Sequence, residues 1–294
     1  MHNPTVTVVI PCFDREETVR DAVDSVLIQD YAPFDVIAVD DNSTDGTRAV
    51  LEKITDPRLR VTVNPGARGP SSTRNHGVAM SDADWVAFQD SDDLWLPGKL
   101  AAQMARVAGS DYVAVYCGML VKTDTDPNTP VQRRYPDRTV HPLEGDILPS
   151  LTRGNYISTQ MLAVRRDVFD KVGGFDEDLP ALVDWDLMLR VAGQGPVAFV
   201  DADLVVQRMT ANSITKSTQK RLVAQEYVLK KHRGLLARYP ASLARHHHRV
   251  AGGYRSFGQY RQGVPHARAA WRLQPGNLKY LASALWTSLR GIAT

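Results

Sequence analysis

From Thr5 to Val206 the chain repeats one alternation: a short apolar run, a polar break, then apolar residues at helical spacing. TVTVVI, ending at Pro11, has the character of a buried strand. Asp14 with Glu17 three residues on reads as a capping pair for a helix whose stripe is Val19, Ala22, Val23, Val26 and Leu27. Asp35 to Val39 gives a second strand that ends in Asp40 and Asp41. Ser43 reads as the N-cap of the helix behind it, with Val50, Leu51 and Ile54 inward. Leu59 to Val63 supplies a third strand, and a loop rich in Pro, Gly and Ser leads to a short helix starting at Ser72, Thr73, Arg74 and Asn75. Trp85 to Phe88 is a fourth strand. A helix with Leu100, Met104 and Val107 on one side follows, then the apolar run Tyr112 to Val121.

This alternation predicts an α/β fold with a mostly parallel central sheet and helices on both faces. Lys122 to Pro142, with four prolines and mixed charge, reads as an extended connection or flap. Thr159 to Val164 returns to strand character and passes into a short helix over Arg165 to Val172. A glycine pair and an acidic loop then precede a helix that carries Asp184 and Asp186 in its first turn, with Leu187 and Val191 inward. Val197 to Val200 and Leu204 to Val206 are the last strands, and beyond about Asn212 the pattern is helical to the end.

The chemistry gathers where apolar runs stop. WVAFQDSDDLWLP places Asp90, Asp92 and Asp93 within four positions at a strand end, which is where open α/β sheets bind ligands. Carboxylates this close repel one another unless a cation joins them, and hard oxygen donors suit Mg²⁺ or Mn²⁺. The plainer reading makes Asp93 a helix cap and the other two solvated turn residues.

With 294 residues, 43% of them apolar and 23% charged, the chain can bury a sizeable core. It carries no apolar run of eighteen residues and no signal-like N-terminal segment, so the expected setting is cytoplasmic. Cys12 and Cys117 lie in strand-like runs and read as reduced core residues. The net charge of +2 hides an asymmetry. From Lys216 onward fifteen Lys and Arg face a single acid, Glu226, giving +14 and leaving −12 on the remainder.

Five motifs in order, VVIPCFDRE, VDDNSTDGT, STRNHG, FQDSDDLWLPGKL and GGFDEDLPALVDWDLMLR, resemble the inverting nucleotide-sugar transferases of glycosyltransferase family 2. The resemblance covers about Thr5 to Ser213. It implies the GT-A fold, with 1–212 as the transferase domain and 213–294 as a basic helical region. It further implies a metal-dependent enzyme, using Mn²⁺ or Mg²⁺, that transfers sugar from a nucleotide-diphosphate sugar, a UDP-sugar, to a saccharide or lipid-linked acceptor. The matching positions put Pro11 and Asp14 beside the nucleotide, and Asp40 and Asp41 at the base, where a carboxylate accepts a ring N–H. Arg74 lies near the nucleotide, Asp90 near the ribose, Asp92 on the metal, and Asp93 supports Asp92 or touches the sugar. Asp184 matches the catalytic base, and Arg208 lies in the loop Gln207 to Ser213 that closes over the diphosphate. Val183 stands where the family often has Glu, and Thr210 where His is frequent.

Other classes fit less of the chain. A phosphoacceptor receiver module would be about half this length and would leave Asp184 and STRNHG unexplained. A dinucleotide-binding dehydrogenase would need G-x-G-x-x-G after the first strand, where PCFDRE stands. An inactive relative that binds nucleotide only is the alternative function. No motif points to nucleic acid. In the tail, Leu278, Leu281, Leu285, Leu289 and Ile292 recur at helical intervals with Trp286, Lys279 and Arg290 beside them. That stripe suits packing on the protein itself or on a second subunit first, and peripheral association with the inner face of a membrane second. The run His246, His247 and His248 would add charge only in acid.

Overall fold

In the computed structural model, which describes residues 3–209 and 218–293, the chain divides into two compact units. Met1–Leu148, Tyr156–Glu177 and Val183–Ala211 make the first; Pro149–Asn155, Asp178–Leu182 and Asn212–Thr294 make the second.

One nine-stranded sheet organises the first unit. Its strands are β1 (Val6–Cys12), β2 (Phe34–Asp40), β3 (Leu59–Val63), β4 (Trp85–Phe88), β5 (Leu94–Trp95), β6 (Ala114–Lys122), β7 (Arg133–Tyr135), β8 (Leu162–Arg165) and β9 (Val197–Arg208). They lie in the order β3-β2-β1-β4-β8-β6-β9-β5, with β7 alongside β6. Pairing sets β1, β2, β3, β4, β6 and β9 in one direction and β5, β7 and β8 against it, so the sheet is mostly parallel, as the alternation predicts. The chain winds outward from β1 to β3 and then returns to the other side of β1 for β4. That reversal opens a crevice at the carboxyl ends of β1 and β4.

The connecting helices are α1 (Val19–Leu27), α2 (Thr47–Glu52), α3 (Pro70–Ala79), α4 (Lys99–Val107), α5 (Leu148–Leu151), α6 (Arg166–Lys171) and α7 (Val183–Val191). Val8, Val9, Ile10, Ile37, Val39, Val86 and Phe88 are fully buried, which is why these strands read as continuous apolar runs rather than alternating ones. Helix α3 lies close on β1 because position 77 has no side chain. A β-carbon at Gly77 would stand 2.4 Å from Val9 Cγ1.

Several expected details differ. Asp14 adopts φ 48 and its carboxylate accepts from Thr44, so it does not cap α1, whose N-cap is Thr18 without a side-chain capping bond. Ser43 donates to Asp40 rather than capping α2, which begins after Gly46. The alternative cap role for Asp93 also fails, since α4 starts after Gly98. The two expected last strands are one, β9, whose register shifts opposite Gly118 let it pass Asp201 to Asp203 without a turn. The proline-rich connection contains the short strand β7.

The second unit's long C-terminal segment is helical: α8 (Thr218–Lys231), α9 (Arg233–Ala237), α10 (Pro240–Ser256), α11 (Tyr260–Leu273) and α12 (Leu278–Ala293). Leu222, Leu229, Leu236 and Val250 form one core cluster, while alanines at 244, 251, 267, 270 and 284 let α10, α11 and α12 pack closely. His246 is buried here, not displayed. Its Nε2 donates to the Thr152 carbonyl at 2.7 Å and its Nδ1 faces Gln225 Nε2 at 3.3 Å, the arrangement of a neutral imidazole. Burial lowers its pKa to about 4, and that of His247 likewise, so the run supplies far less charge in mild acid than exposed histidines would.

Candidate active site

Strand termination puts the acids together. β1 ends next to β2 on one side and β4 on the other, so the loops PCFDRE, DDNSTDG and QDSDD converge at the crevice. The first two loops are laced by bonds from one to the other. The Asp14 N–H donates to Ser43 Oγ (3.1 Å), the Thr44 N–H to Asp14 Oδ1 (2.7 Å), the Arg15 N–H to Thr47 Oγ1 (2.6 Å), and the Gly46 N–H to Glu16 Oε2 (2.8 Å). Pro11 lies in β1 just before this lacing.

Asp40 and Asp41 are nearly buried at the end of β2. Asp40 accepts from the Ser43 N–H and hydroxyl. Asp41 accepts from Asn64 Nδ2 at 2.7 Å and from the Gly69 N–H at 2.8 Å, which ties β2 to the loop that opens α3. Gly69 holds φ 143, a conformation that side-chain-bearing residues rarely adopt. These bonds orient both carboxylates: Asp40 takes both of its bonds on Oδ1, whereas each Asp41 oxygen takes one and retains a second lone pair for a ligand donor.

The third loop carries the charge. Arg74, on α3 and only 6% exposed, donates from Nη2 to Asp90 Oδ1 at 2.5 Å and stacks its guanidinium over Phe175, 5.5 Å from the ring centre. Its Nε is buried without a hydrogen-bond partner among the described residues. Asp92 lies 3.3 Å from Arg15 Nε. Burial raises the Asp92 pKa, and the neighbouring Asp90 charge raises it further against the opposing pull of Arg15. Asp93 is 2% exposed and accepts from Gln160 Nε2 (2.7 Å) and the Arg208 N–H (2.9 Å). Burial, then Asp92 and Asp90, push its pKa well above the carboxylate range. Its bond to the Arg208 N–H joins β4's loop to the end of β9. Arg208 donates to Thr125 Oγ1 and, like Arg74, has a buried Nε without a partner among the described residues.

Asp184 sits half-buried in the first turn of α7, its Oδ1 accepting from the Trp185 N–H. Asp186 is fully buried and paired with Arg190 at 2.6 Å, and Arg190 also donates to the Val172 carbonyl. Asp186 thus binds α7 to the end of α6. Thr210 and Ser213 lie outside the described residues.

Among the described residues no group of three or more His, Cys, Asp or Glu is gathered as a metal cage. Mg²⁺ and Mn²⁺ sites completed by substrate phosphates need only one or two carboxylates. The hard oxygens of Asp90 and Asp92, with the Asp92 charge incompletely compensated, fit such an ion. Arg15, Asn64 and Gln160 join this site without a sequence signal of their own, although Arg15 lies inside the PCFDRE motif.

Residues 7–173 match the family described as Glycosyl transferase family 2. A 116-residue stretch is 30% identical to the Escherichia coli UDP-Glc:alpha-D-GlcNAc-diphosphoundecaprenol beta-1,3-glucosyltransferase WfgD, covering 40% of this chain and 46%, under half, of that protein. The crystal structure of S. aureus TarS 1-349 in complex with UDP-GlcNAc superposes with TM-score 0.70 at 16% identity, over 98% of this chain and 88% of that one. The mannosyltransferase PcManGT from Pyrobaculum calidifontis, in complex with GDP-Man and Mn²⁺, superposes with TM-score 0.63 at 20% identity, over 98% and 84%.

Proposed function

Since the chain belongs to glycosyl transferase family 2 and has the GT-A fold, we propose that it is a metal-dependent inverting glycosyltransferase. It takes sugar from a nucleotide-diphosphate sugar, with UDP as the carrier, and adds it to an acceptor hydroxyl in cell-surface polysaccharide or glycolipid assembly. The observation that carries this reading is the meeting, at one strand reversal, of the carboxylates Asp90 and Asp92 with buried Arg74, whose Nε has no partner among the described residues. A diphosphate presents the acceptors such a donor lacks, and a divalent ion offsets the acids. Residues 1–212 serve as the transferase domain and 213–294 as a basic helical region.

Within it, Pro11 and Asp14 border the nucleotide, and Asp40 and Asp41 accept from the base. Asp90 faces the ribose, Asp93 holds Asp92 in place, and Arg74 and Arg208 face the phosphates. Asp92 is the protein ligand of Mn²⁺ or Mg²⁺, which when bound neutralises charge on the diphosphate. Asp184 accepts the proton of the acceptor hydroxyl as its oxygen bonds to the anomeric carbon. The anomeric C–O bond to the diphosphate breaks on the opposite face, its electron pair leaves with the nucleotide diphosphate, and one displacement inverts the centre. The acceptor is a lipid-linked saccharide, as the name of the E. coli relative states for that protein, and the work is done in the cytoplasm at the inner face of the cell membrane.

The test is a screen of nucleotide sugars with a polyprenyl-diphosphate saccharide, with and without Mn²⁺. Metal-dependent release of nucleotide diphosphate, coupled to a product of inverted anomeric configuration by NMR, is expected. Binding of nucleotide without transfer to any acceptor, or a retained configuration, would overturn it.

A further inference from the structure

Among the described residues, the second unit buries apolar clusters between its helices and gathers most of its exposed large apolar side chains on the outward side of α12. On α12, Tyr280, Ala284 and Thr287 face inward, with exposures of 8%, 5% and 0%. At about 100° per residue, Leu278, Leu285, Leu289 and Ile292 fall on the opposite side of the same helix. They are 76%, 59%, 69% and 81% exposed, and Trp286 beside them is 46% exposed. Five of the ten large exposed hydrophobic residues among the described residues therefore lie on this single helix face. One apolar residue on a surface means little, but a contiguous row of five marks an interaction surface.

Cations border the row on both sides. Lys279 and Arg290 are exposed on one flank. On the other, α11 leans two arginines against α12: Arg268 Nε donates to Ser288 Oγ at 3.3 Å and Arg261 Nε to the Gly291 carbonyl at 3.4 Å. An apolar strip edged by cations, with a tryptophan at its margin, has the profile of a helix lying in the interface of an anionic bilayer. Charge also selects the occupant. The stretch from Lys216 onward carries fifteen Lys and Arg against Glu226, so a second copy would bring like charge to the same face, whereas acidic headgroups attract it. No helix among the described residues is long and apolar enough to cross a membrane, so α12 would lie on it.

We propose that the outer face of α12, Leu278, Leu285, Trp286, Leu289 and Ile292 flanked by Lys279, Arg290, Arg261 and Arg268, is a docking surface for an anionic lipid bilayer. The inference deepens the lipid-linked acceptor reading and rests on it for its purpose. Its test needs neither donor nor acceptor. The full chain is cosedimented with phosphatidylcholine vesicles and with vesicles containing phosphatidylglycerol, at low and high salt. Binding is expected to require phosphatidylglycerol and to weaken with salt. The pair Leu285→Ser and Leu289→Ser should lower the partition constant about 10-fold or more at unchanged helix content, and Lys279→Glu with Arg290→Glu should reduce it as well. No binding at low salt, or binding indifferent to the leucine pair, would overturn the proposal. So would a dimer in analytical ultracentrifugation that the leucine pair dissociates, since the face would then belong to a second copy. Transfer to a water-soluble acceptor that persists after vesicle binding fails would leave the reaction standing and remove only the surface.

Discussion

The two units leave buried polarity unmet to different degrees. At the crevice of the sheet, Asp92 keeps a raised pKa through burial and the nearby Asp90 charge, and Arg74 and Arg208 each bury an Nε that has no partner among the described residues. In the helical unit, His248 Nδ1 is the one such atom among the described residues, while His246 has both ring nitrogens engaged and Glu226 accepts from Tyr254 and from His266. Unmet electrostatic demand is costly, and a fold retains it where a ligand relieves it. Demand that is met internally reports structure. On that reasoning the sheet unit carries the chemistry, and the helical unit carries its charge outward to a partner.

The sharpest way to break this contrast is at Asp184. Asp184→Asn should lower kcat about 10²-fold or more while nucleotide binding by calorimetry stays at the parent value; normal turnover would move the base elsewhere. Next is Asp92→Asn, which should weaken UDP binding in the presence of Mn²⁺ by about 2–3 kcal/mol. Equal affinity of mutant and parent in a Mn²⁺ titration would show that the crevice needs no ion at Asp92. The smallest effect concerns the satisfied side of the comparison. The His246 pKa is lowered to about 4 in the fold from 6.5, so the neutral ring is the stabilising form. That stabilisation is whole above pH 6.5 and is lost as pH falls from there toward 4. Between pH 7 and 5 the loss should be on the order of 1–2 kcal/mol. His246→Leu should flatten the dependence of melting temperature on pH across that interval; an unchanged slope would mean that other groups set it.

Much of the sheet unit is readable in the chain because its strands are buried on both sides and stop at acids. TVTVVI, DVIAV and WVAF announce β1, β2 and β4, and the acids that follow announce the crevice. Who pairs with those acids was not readable. Gln160 meets Asp93 across 67 positions and Asn64 meets Asp41 across 23, and nothing local to a glutamine or an asparagine encodes such a partner. Local rules failed where tertiary contacts claimed the same side chain. Asp14 and Ser43 have the composition of helix caps, yet each is taken by the lacing between loops. The histidine run misled for the same reason, since the burial of His246 depends on α8 and on residue 152, not on its neighbours in sequence.

The lacing has a consequence in time. Its bonds join residues 29 to 32 positions apart, and Thr18 reaches the Ser91 carbonyl across 73. A chain emerging from a ribosome thus holds no trace of this corner until β2 and the loop after it have been made, and Asp92 cannot meet Arg15 until β4 and its loop have followed. For most of that interval Asp14, Asp40 and Asp41 are separated from Asp90, Asp92 and Asp93, which are neighbours in sequence from the start. What the paired strands add is burial, which raises the pKa of Asp92 and Asp93 and strengthens a repulsion that water had screened.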